Sequence, residues 1–338
     1  MKTFITFFTL LLATCLFLNF NSLPLRGGSA NDDFDITKDG KIKAGPYVFK
    51  SPTEYFLSDY FWKNGKLCGV GRLPEGMTES SIEASIQGLA SDCSLELTVI
   101  KSEYWPDEPY TIPVVFHIIY KEDGTGNISD QRVIDQVAVL NEDFRAIPGT
   151  LGELGFDTKI QFVLAGITRT MNNTWFNDRA ERQYKNTLAW DPNFYCNVYT
   201  NSAGGHGGYT YFPQTYAGKW NDGITMNYLV VGGRDGDYYP YDQGRILVHE
   251  MGHYLGLHHT FNGGCCNDYN CGDLIVDTES EEFYHQQCVQ EYTCGTPDPI
   301  YNYMDYTDDN CRNHFTSEQG NRLICTLFNY RPNLYQLP

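Results

Sequence analysis

Residues 243–261 read QGRILVHEMGHYLGLHHTF. The run from Gln243 to Leu257 is helix-like, and Gly256 is a natural stop because glycine accepts the left-handed backbone found just past a helix end. His249 and His253 are four residues apart, so both imidazoles leave one face of that helix, one turn from each other. Two neutral imidazoles so placed can share one Zn²⁺ at bond lengths of about 2.0–2.1 Å. Glu250 stands beside the first and can reach a water at the metal without being a ligand itself. Gly256 lets the chain turn back, and His259 then completes a three-histidine set. His258 is one position out of register and is the rival third ligand. A bare His-Glu-x-x-His arises by chance in roughly one chain in a hundred, whereas adding the glycine and third histidine lowers this to on the order of one in a hundred thousand. That disfavours the plain alternative, a helix of satisfied core histidines.

The flanking sequence frames this helix. IPVVFHIIY (112–120) is a β-branched run suited to a buried strand. Within 130–145, Val133, Val137, Leu140 and Phe144 recur at helical spacing behind Ser129 as N-cap. KIQFVLAGITR (159–169), NFYCNVYT (193–200), GGYTYFP (207–213) and DGITMNYLVV (222–231) predict four more strands. Strand, helix, several strands and another helix make an α/β arrangement. Downstream, NYMDY (302–306) places Met304 in a tight turn as a soft apolar floor under the imidazoles. Tyr306, two residues on, can aim its phenol at the metal or at an oxyanion. His117, His206, His285 and His314 read as ordinary structural histidines. Upstream, residues 101–110 read as a linker broken by Pro106 and Pro109. Ile82, Ile86 and Leu89 share one helical face within 79–90, and residues 31–67 are polar and aromatic with weak periodicity.

The chain has 338 residues and a formal net charge of −18. At ~100–200 residues per domain, that length fits two units or one with an extension. No Lys/Arg run offsets the acidity, which disfavours a phosphate-backbone binder and leaves divalent cations or basic substrates compatible. Lys2, an apolar run from Phe4 to Phe20 and then Asn21-Ser22-Leu23-Pro24 read as a secretory signal, the alternative being an uncleaved anchor. With Cys15 in the signal, ten of the eleven cysteines remain. In an exported chain these read as disulfides. Sequons at Asn127 and Asn172 are consistent with export.

The helix motif together with NYMDY resembles the metzincin zinc peptidases, and finer features resemble their pappalysin family. IPVVFHIIY, ISDQRVIDQVAVLNEDFR, IQFVLAGI, GRILVHEMGHYLGLHHTFNGGC, CGDLIVDTES, NYMDYTDDNC and HFTSEQGNRL follow in family order over roughly residues 111–325. The resemblance implies His249, His253 and His259 as zinc ligands, Glu250 as general base and acid, Met304 as the Met-turn residue and Tyr306 as a tyrosine that swings toward the reacting carbonyl. It implies an upper subdomain with a twisted, mostly parallel sheet and two long helices, above an irregular, disulfide-tied C-terminal subdomain. GGYTYFP then resembles the antiparallel edge strand that binds substrate by β-augmentation. The resemblance pairs Cys265 or Cys266 with Cys294, and Cys288 with Cys311. Cys271 with one of the doublet, and Cys196 with Cys325, are the remaining pairings expected. Asp273 and Asp277 stand where some members bind calcium, which suits an oxygen-rich loop. The alternative there is a solvated acidic loop.

Lys66-Leu67-Cys68-Gly69-Val70-Gly71-Arg72 resembles the cysteine-switch stretches of metzincin zymogens, departing at Leu67, where arginine is more usual. A thiolate there takes the open zinc position and excludes the water; the competing reading is a Cys68–Cys93 disulfide. The expected organisation is a signal peptide over 1–22, a pro-segment over 23–105 and a metzincin catalytic domain over 106–338, with the activating cut near 94–110. The expected protein is a secreted, monomeric zinc endopeptidase, made latent and acting on extended peptides. It has no nucleic-acid partner, and no membrane partner after signal removal. The rivals are a secreted non-catalytic binding module around a structural zinc, which wants a fourth protein ligand, and a zinc hydrolase of non-peptide amides or esters.

Overall fold

The computed structural model describes residues 34–70, 93, 101–232, 239–269 and 271–336. The expected signal over 1–22 and the helical face of Ile82, Ile86 and Leu89 lie outside the described residues. Among the described residues no helix is long and apolar enough to cross a membrane.

A small N-terminal unit comes first. Strands β1 (Phe34–Ile36), β2 (Ile42–Ala44) and β3 (Tyr47–Phe49) form an antiparallel sheet. Two five-residue helices follow, α1 (Pro52–Phe56) and α2 (Asp59–Lys63). Ser51 and Ser58 cap them by accepting the amides of Glu54 and Phe61, which satisfies donors that the first turn leaves orphaned. Strands of three residues and helices of five cannot stand alone. What holds them is an aromatic cluster of Phe34, Phe49, Tyr55, Phe56 and Phe61, buried against the rest of the chain.

The main unit is built on β4 (Tyr110–Tyr120), α3 (Asp130–Phe144) and β5 (Ile160–Met171). Helices α4 (Asn173–Phe176) and α5 (Glu181–Leu188) lead to β6 (Cys196–Asn201), β7 (Gly208–Tyr209), α6 (Pro213–Tyr216) and β8 (Ile224–Asn227). Helices α7 (Arg245–Tyr254) and α8 (Ser317–Tyr330) complete it. The sheet order is β5-β4-β6-β8-β7, with every pairing parallel except β7–β8. β4 is buried along nearly its whole length, as expected for a strand flanked by parallel neighbours and covered on its faces. Ser129 caps α3 by accepting the Arg132 amide, and Val133, Val137, Leu140 and Phe144 form its buried face. GGYTYFP is strand only over Gly208–Tyr209, because Pro213 opens α6.

Four disulfides join Cys93 to Cys325, Cys265 to Cys294, Cys266 to Cys271 and Cys288 to Cys311. The expected pairing of Cys196 with Cys325 is corrected: Cys196 is a buried free thiol in β6, and Cys325 in α8 takes Cys93 instead. Cys68 is also a free thiol, so it does not pair with Cys93. Spacing along the chain carries no information on which buried sulfurs meet in space, hence both departures.

Candidate active site

Every residue of α7 is buried. Gln136 of α3 donates to the Gly244 carbonyl at its N-terminus (2.9 Å), and Asp143 pairs with Arg245 in its first turn (3.1 Å). At the other end, the Leu257 amide donates to Gly252 and the Gly256 amide to His253, the double bond pattern of a helix stop. Gly256 has φ +92°, and a side chain there would collide with Thr326 of α8. The same turn orients a histidine, because His253 Nδ1 donates to the Leu257 carbonyl at 2.7 Å. His249 Nδ1 donates to the carbonyl of Tyr303 at 2.7 Å. Both tautomers are thereby set with Nε2 as the lone-pair atom.

Those Nε2 atoms converge. They lie 3.1 Å apart for His249–His253, 3.2 Å for His249–His259 and 2.9 Å for His253–His259. Three lone pairs this close repel unless a cation sits among them, and ligands at 2.0–2.1 Å from a tetrahedral ion are ~3.3 Å apart. The residues therefore fit a metal of zinc's size and taste for nitrogen. Burial drives all three imidazoles below their usual range, His253 to about 4, which keeps them in the neutral form a metal requires. His258 is outside the cluster, its ring stacked on Phe212 at 4.7 Å. The register of the turn after Gly256 thus selects His259.

A fourth group joins them. The Cys68 sulfur lies within 4.8 Å of the three histidine nitrogens. Glu250 is fully buried, and its oxygens have no hydrogen-bond donor from a cation or a described backbone amide; the group facing them is the Cys68 thiol. Burial pushes the Glu250 carboxyl up to about 8, opposed by Cys68 and by the charge of Arg312. Burial, reinforced by the charge of Glu250, pushes the Cys68 thiol well up. The phenol of Tyr306 faces the same thiol. Its ring lies 4.9 Å from His259 and 5.6 Å from His249.

Cys68 is delivered by strand pairing. The Gly207 amide donates to the Lys66 carbonyl at 2.8 Å, and Gly69 donates to the Gly208 carbonyl at 2.9 Å. Residues 66–69 thus lie parallel along the edge of β7 that faces away from β8. Below the cluster, Met304 is fully buried and a side chain on Gly252 would come within 2.5 Å of its sulfur. Asn302 accepts the Met304 amide and exchanges hydrogen bonds with Gln319 of α8. This locks the turn.

Asp273 and Asp277 do not join a described metal-ligand cluster. Asp273 accepts from the Ile275 amide and the Thr278 hydroxyl, and Asp277 from Ser317 and the Glu318 amide. Three features escaped the sequence reading. Phe261 stacks on His259 at 4.6 Å and 12°, although its place two residues after the motif was a usable signal. Arg312 is fully buried, ion-paired to Asp309 at 2.6 Å, and its charge reaches His249 and Glu250. His285 is ringed by Glu281 and Asp298, at 2.8 and 3.2 Å, with Asp305 at 3.7 Å. No local pattern announced Arg312, and the structural reading of His285 did not extend to its acidic neighbours.

The model of a peptidase family, M43, described as pregnancy-associated plasma protein-A, matches residues 179–327. An extracellular metalloprotease of Colletotrichum graminicola is 37% identical over 232 residues, covering 65% of this chain and 77% of that protein. The chain belongs to the pappalysin family of metallopeptidases. An extracellular metalloprotease 1 of Coccidioides posadasii is likewise 37% identical, covering 64% of this pappalysin and 76% of its own length. Among solved structures, mirolysin in complex with a small compound is 31% identical at TM-score 0.60, covering 68% of this pappalysin and 97% of that chain. A promirolysin mutant from Tannerella forsythia is 27% identical at TM-score 0.58, covering 84% of this pappalysin and 95% of that chain. The pappalysin is thus a metalloprotease on the metzincin fold expected from its motifs.

Proposed function

We propose that this pappalysin is a secreted zinc endopeptidase held latent by its own N-terminal segment. The observation that carries the reading is the convergence of His249, His253, His259 and Cys68 beside Glu250. In the proposed organisation residues 1–22 are the signal, a pro-segment follows, and the catalytic unit runs to the C-terminus. Coverage supports a pro-segment: it rises from 68% of this chain against mirolysin to 84% against promirolysin. The relatives' name, extracellular metalloprotease, and the four disulfides support export.

His249, His253 and His259 would hold the zinc, which supplies a Lewis acid and lowers the pKa of a water toward ~7. The chain's own part is as follows. Glu250 takes the proton of the attacking water and returns it to the leaving amine. Burial raises the pKa of its carboxyl, which favours uptake of a proton from the water. Tyr306 donates its phenol to the developing oxyanion once Cys68 has left. The edge of β7 binds an extended peptide by backbone pairing. Cys68 in place keeps water from Glu250. Calcium at Asp273 and Asp277 is a further part of this reading, supported by the preference of a hard cation for carboxylate oxygens.

Cys68 would also close the site with a fourth protein ligand, which is the hallmark of a structural zinc. Against a purely structural role stand the buried, undonated Glu250 and membership in a metalloprotease family. The test is a mixed peptide pool digested with protein lacking the N-terminal segment, its cut sites mapped by mass spectrometry. Cuts by the wild type and none by Glu250→Ala, at equal zinc content, are expected. Equal cutting by both would sink the mechanism.

A further inference from the structure

Cys93 belongs physically to the catalytic unit although it precedes the first catalytic strand. It is fully buried and bonded to Cys325, in the middle of α8. Its carbonyl accepts from Gln214 Nε2 at 2.9 Å, and Asn329 of α8 reaches its sulfur. Farther along, the Lys101 backbone is bonded in both directions to the Asn321 side chain of the same helix. Tyr104 then packs on Phe328 at 5.6 Å between ring centres. Cys68 lies upstream of Cys93 on the same chain. Downstream lies the stretch 105–108, where Trp105 is 54% exposed and Asp107 and Glu108 are exposed. A protease reaching this junction meets that stretch on the far side of the disulfide from Cys68.

We propose that the Cys93–Cys325 disulfide makes cleavage at 105–108 a silent event. The severed N-terminal portion stays covalently joined to α8, Cys68 stays among the three histidines, and latency ends only with a cut on the N-terminal side of Cys93. The proposal rests on the reading of Cys68 as the inhibitory ligand. Its physical basis is molecularity. An untethered segment, once cut, rebinds as a second molecule and is lost on dilution. A tethered one rebinds intramolecularly at an effective concentration on the order of mM, whatever the dilution. The contacts that would be retained are extensive. The Tyr55 hydroxyl donates to the Gly205 carbonyl at 2.6 Å, Phe56 meets Tyr241 at 5.9 Å, and Trp62 stacks on Tyr284 at 5.8 Å. Gly69 stays on the edge of β7. The active enzyme accordingly keeps Cys93 and the residues after it as its own N-terminal part.

The test replaces residues 105–108 with the recognition sequence of a site-specific protease, cuts the zinc-loaded protein without reductant, and dilutes it to nanomolar concentration. Three readouts follow: the mass of the unreduced protein, maleimide labelling of Cys68, and peptide turnover. With the disulfide intact, the expected outcome is one covalent species, an unlabelled Cys68 and turnover no higher than before the cut. In the Cys93→Ser/Cys325→Ser variant, the same cut should release the N-terminal fragment, expose Cys68 to label and raise turnover at least tenfold. Shedding of the fragment by the protein with both cysteines, or absence of a Cys93–Cys325 peptide from an unreduced digest, overturns the tether. The mass measurement and the digest need no cysteine variant, so misfolding of the double variant cannot shield the proposal. Uncut Cys68→Ser with no more activity than the uncut parent overturns instead the latency reading beneath it.

Discussion

Gly69 donates its backbone amide to the carbonyl of Gly208 at 2.9 Å, and this bond decides what the thiol of the preceding residue can reach. β7 has two edges. One is paired with β8, and the other, which an extended peptide would occupy, is taken by residues 66–69. Substrate and residues 66–69 therefore compete for one edge, and the Cys68 contact at the histidines tips that competition toward the N-terminal segment. Cys68→Ser removes the sulfur and leaves the pairing. The uncut variant is expected to gain turnover by on the order of tenfold or more, since each 1.4 kcal/mol of lost inhibitor binding is a factor of ten. Initial rates on a peptide found in the pool digest, compared with the uncut wild type, measure this.

Gly208 itself has a second constraint. A Cβ there would stand 2.8 Å from both Glu250 Cγ and Met226 Sδ. Gly208→Ala must therefore push Glu250 away from its place beside the three histidines. Displacing a catalytic group by about 1 Å can cost on the order of 10²-fold in rate. The activated variant should lose about that much kcat while zinc content by metal analysis stays at one per chain. Unchanged kcat would mean that Glu250 is not placed by this contact.

Met304 supports the cluster from below and is fully buried against Gly252. Truncation to alanine leaves a cavity and is expected to destabilise by about 2–5 kcal/mol. Met304→Leu, of similar volume, should cost less than about 1.5 kcal/mol. Urea unfolding of the zinc-loaded protein gives both values. An alanine variant as stable as the leucine one would show that the turn collapses onto the space.

His285 gives a pH signature away from the histidine cluster. The hydrogen bond to Glu281 raises its pKa from 6.5 to about 9, assisted by the charges of Asp305, Glu281 and Asp298 and opposed by burial. Because the folded state holds this proton more tightly, the contribution is complete below pH 6.5 and is lost as pH rises through about 9. Its size at the low-pH end is on the order of 3 kcal/mol. The difference in unfolding free energy between wild type and His285→Gln should therefore shrink steadily from pH 6.5 to 9.5. A constant difference over that window would contradict a raised pKa.

Metal removal supplies a further check. Each imidazole Nε2 is within 3.2 Å of another, so stripping the ion leaves three lone pairs facing one another in a buried site. Dialysis against a chelator should abolish turnover and lower the unfolding midpoint, and zinc should restore both. Retained turnover in the metal-free protein would exclude the proposed mechanism.

Much of the scaffold was legible in the sequence because it is written in local periodicity. The helical recurrence of Val133, Val137, Leu140 and Phe144 matched α3, and Ser129 caps it as the residue type and position suggested. The β-branched run 112–120 became β4, and Gly256 ended α7. The small unit over 34–63 was not legible. Its strands and helices are too short to show a period, and its order comes from ring contacts with Tyr241 and Tyr284 and a hydrogen bond to Gly205, residues distant in the chain. Helix α5 was missed because only one or two of its eight residues are apolar, and its buried positions include Glu181 and Lys185, paired at 3.0 Å.

The sequence by itself determined the common face of His249 and His253, the acid beside them and the glycine stop that follows, because helical spacing and a glycine stop are properties of neighbours. Only the tertiary structure decided that His249 is oriented by the Tyr303 carbonyl, that Cys68 reaches the cluster along β7, and that Cys93 rather than Cys196 takes Cys325. Those are meetings between segments far apart in the chain. Which distant segments meet is set by how the whole hydrophobic core closes, and no local pattern of residues records it.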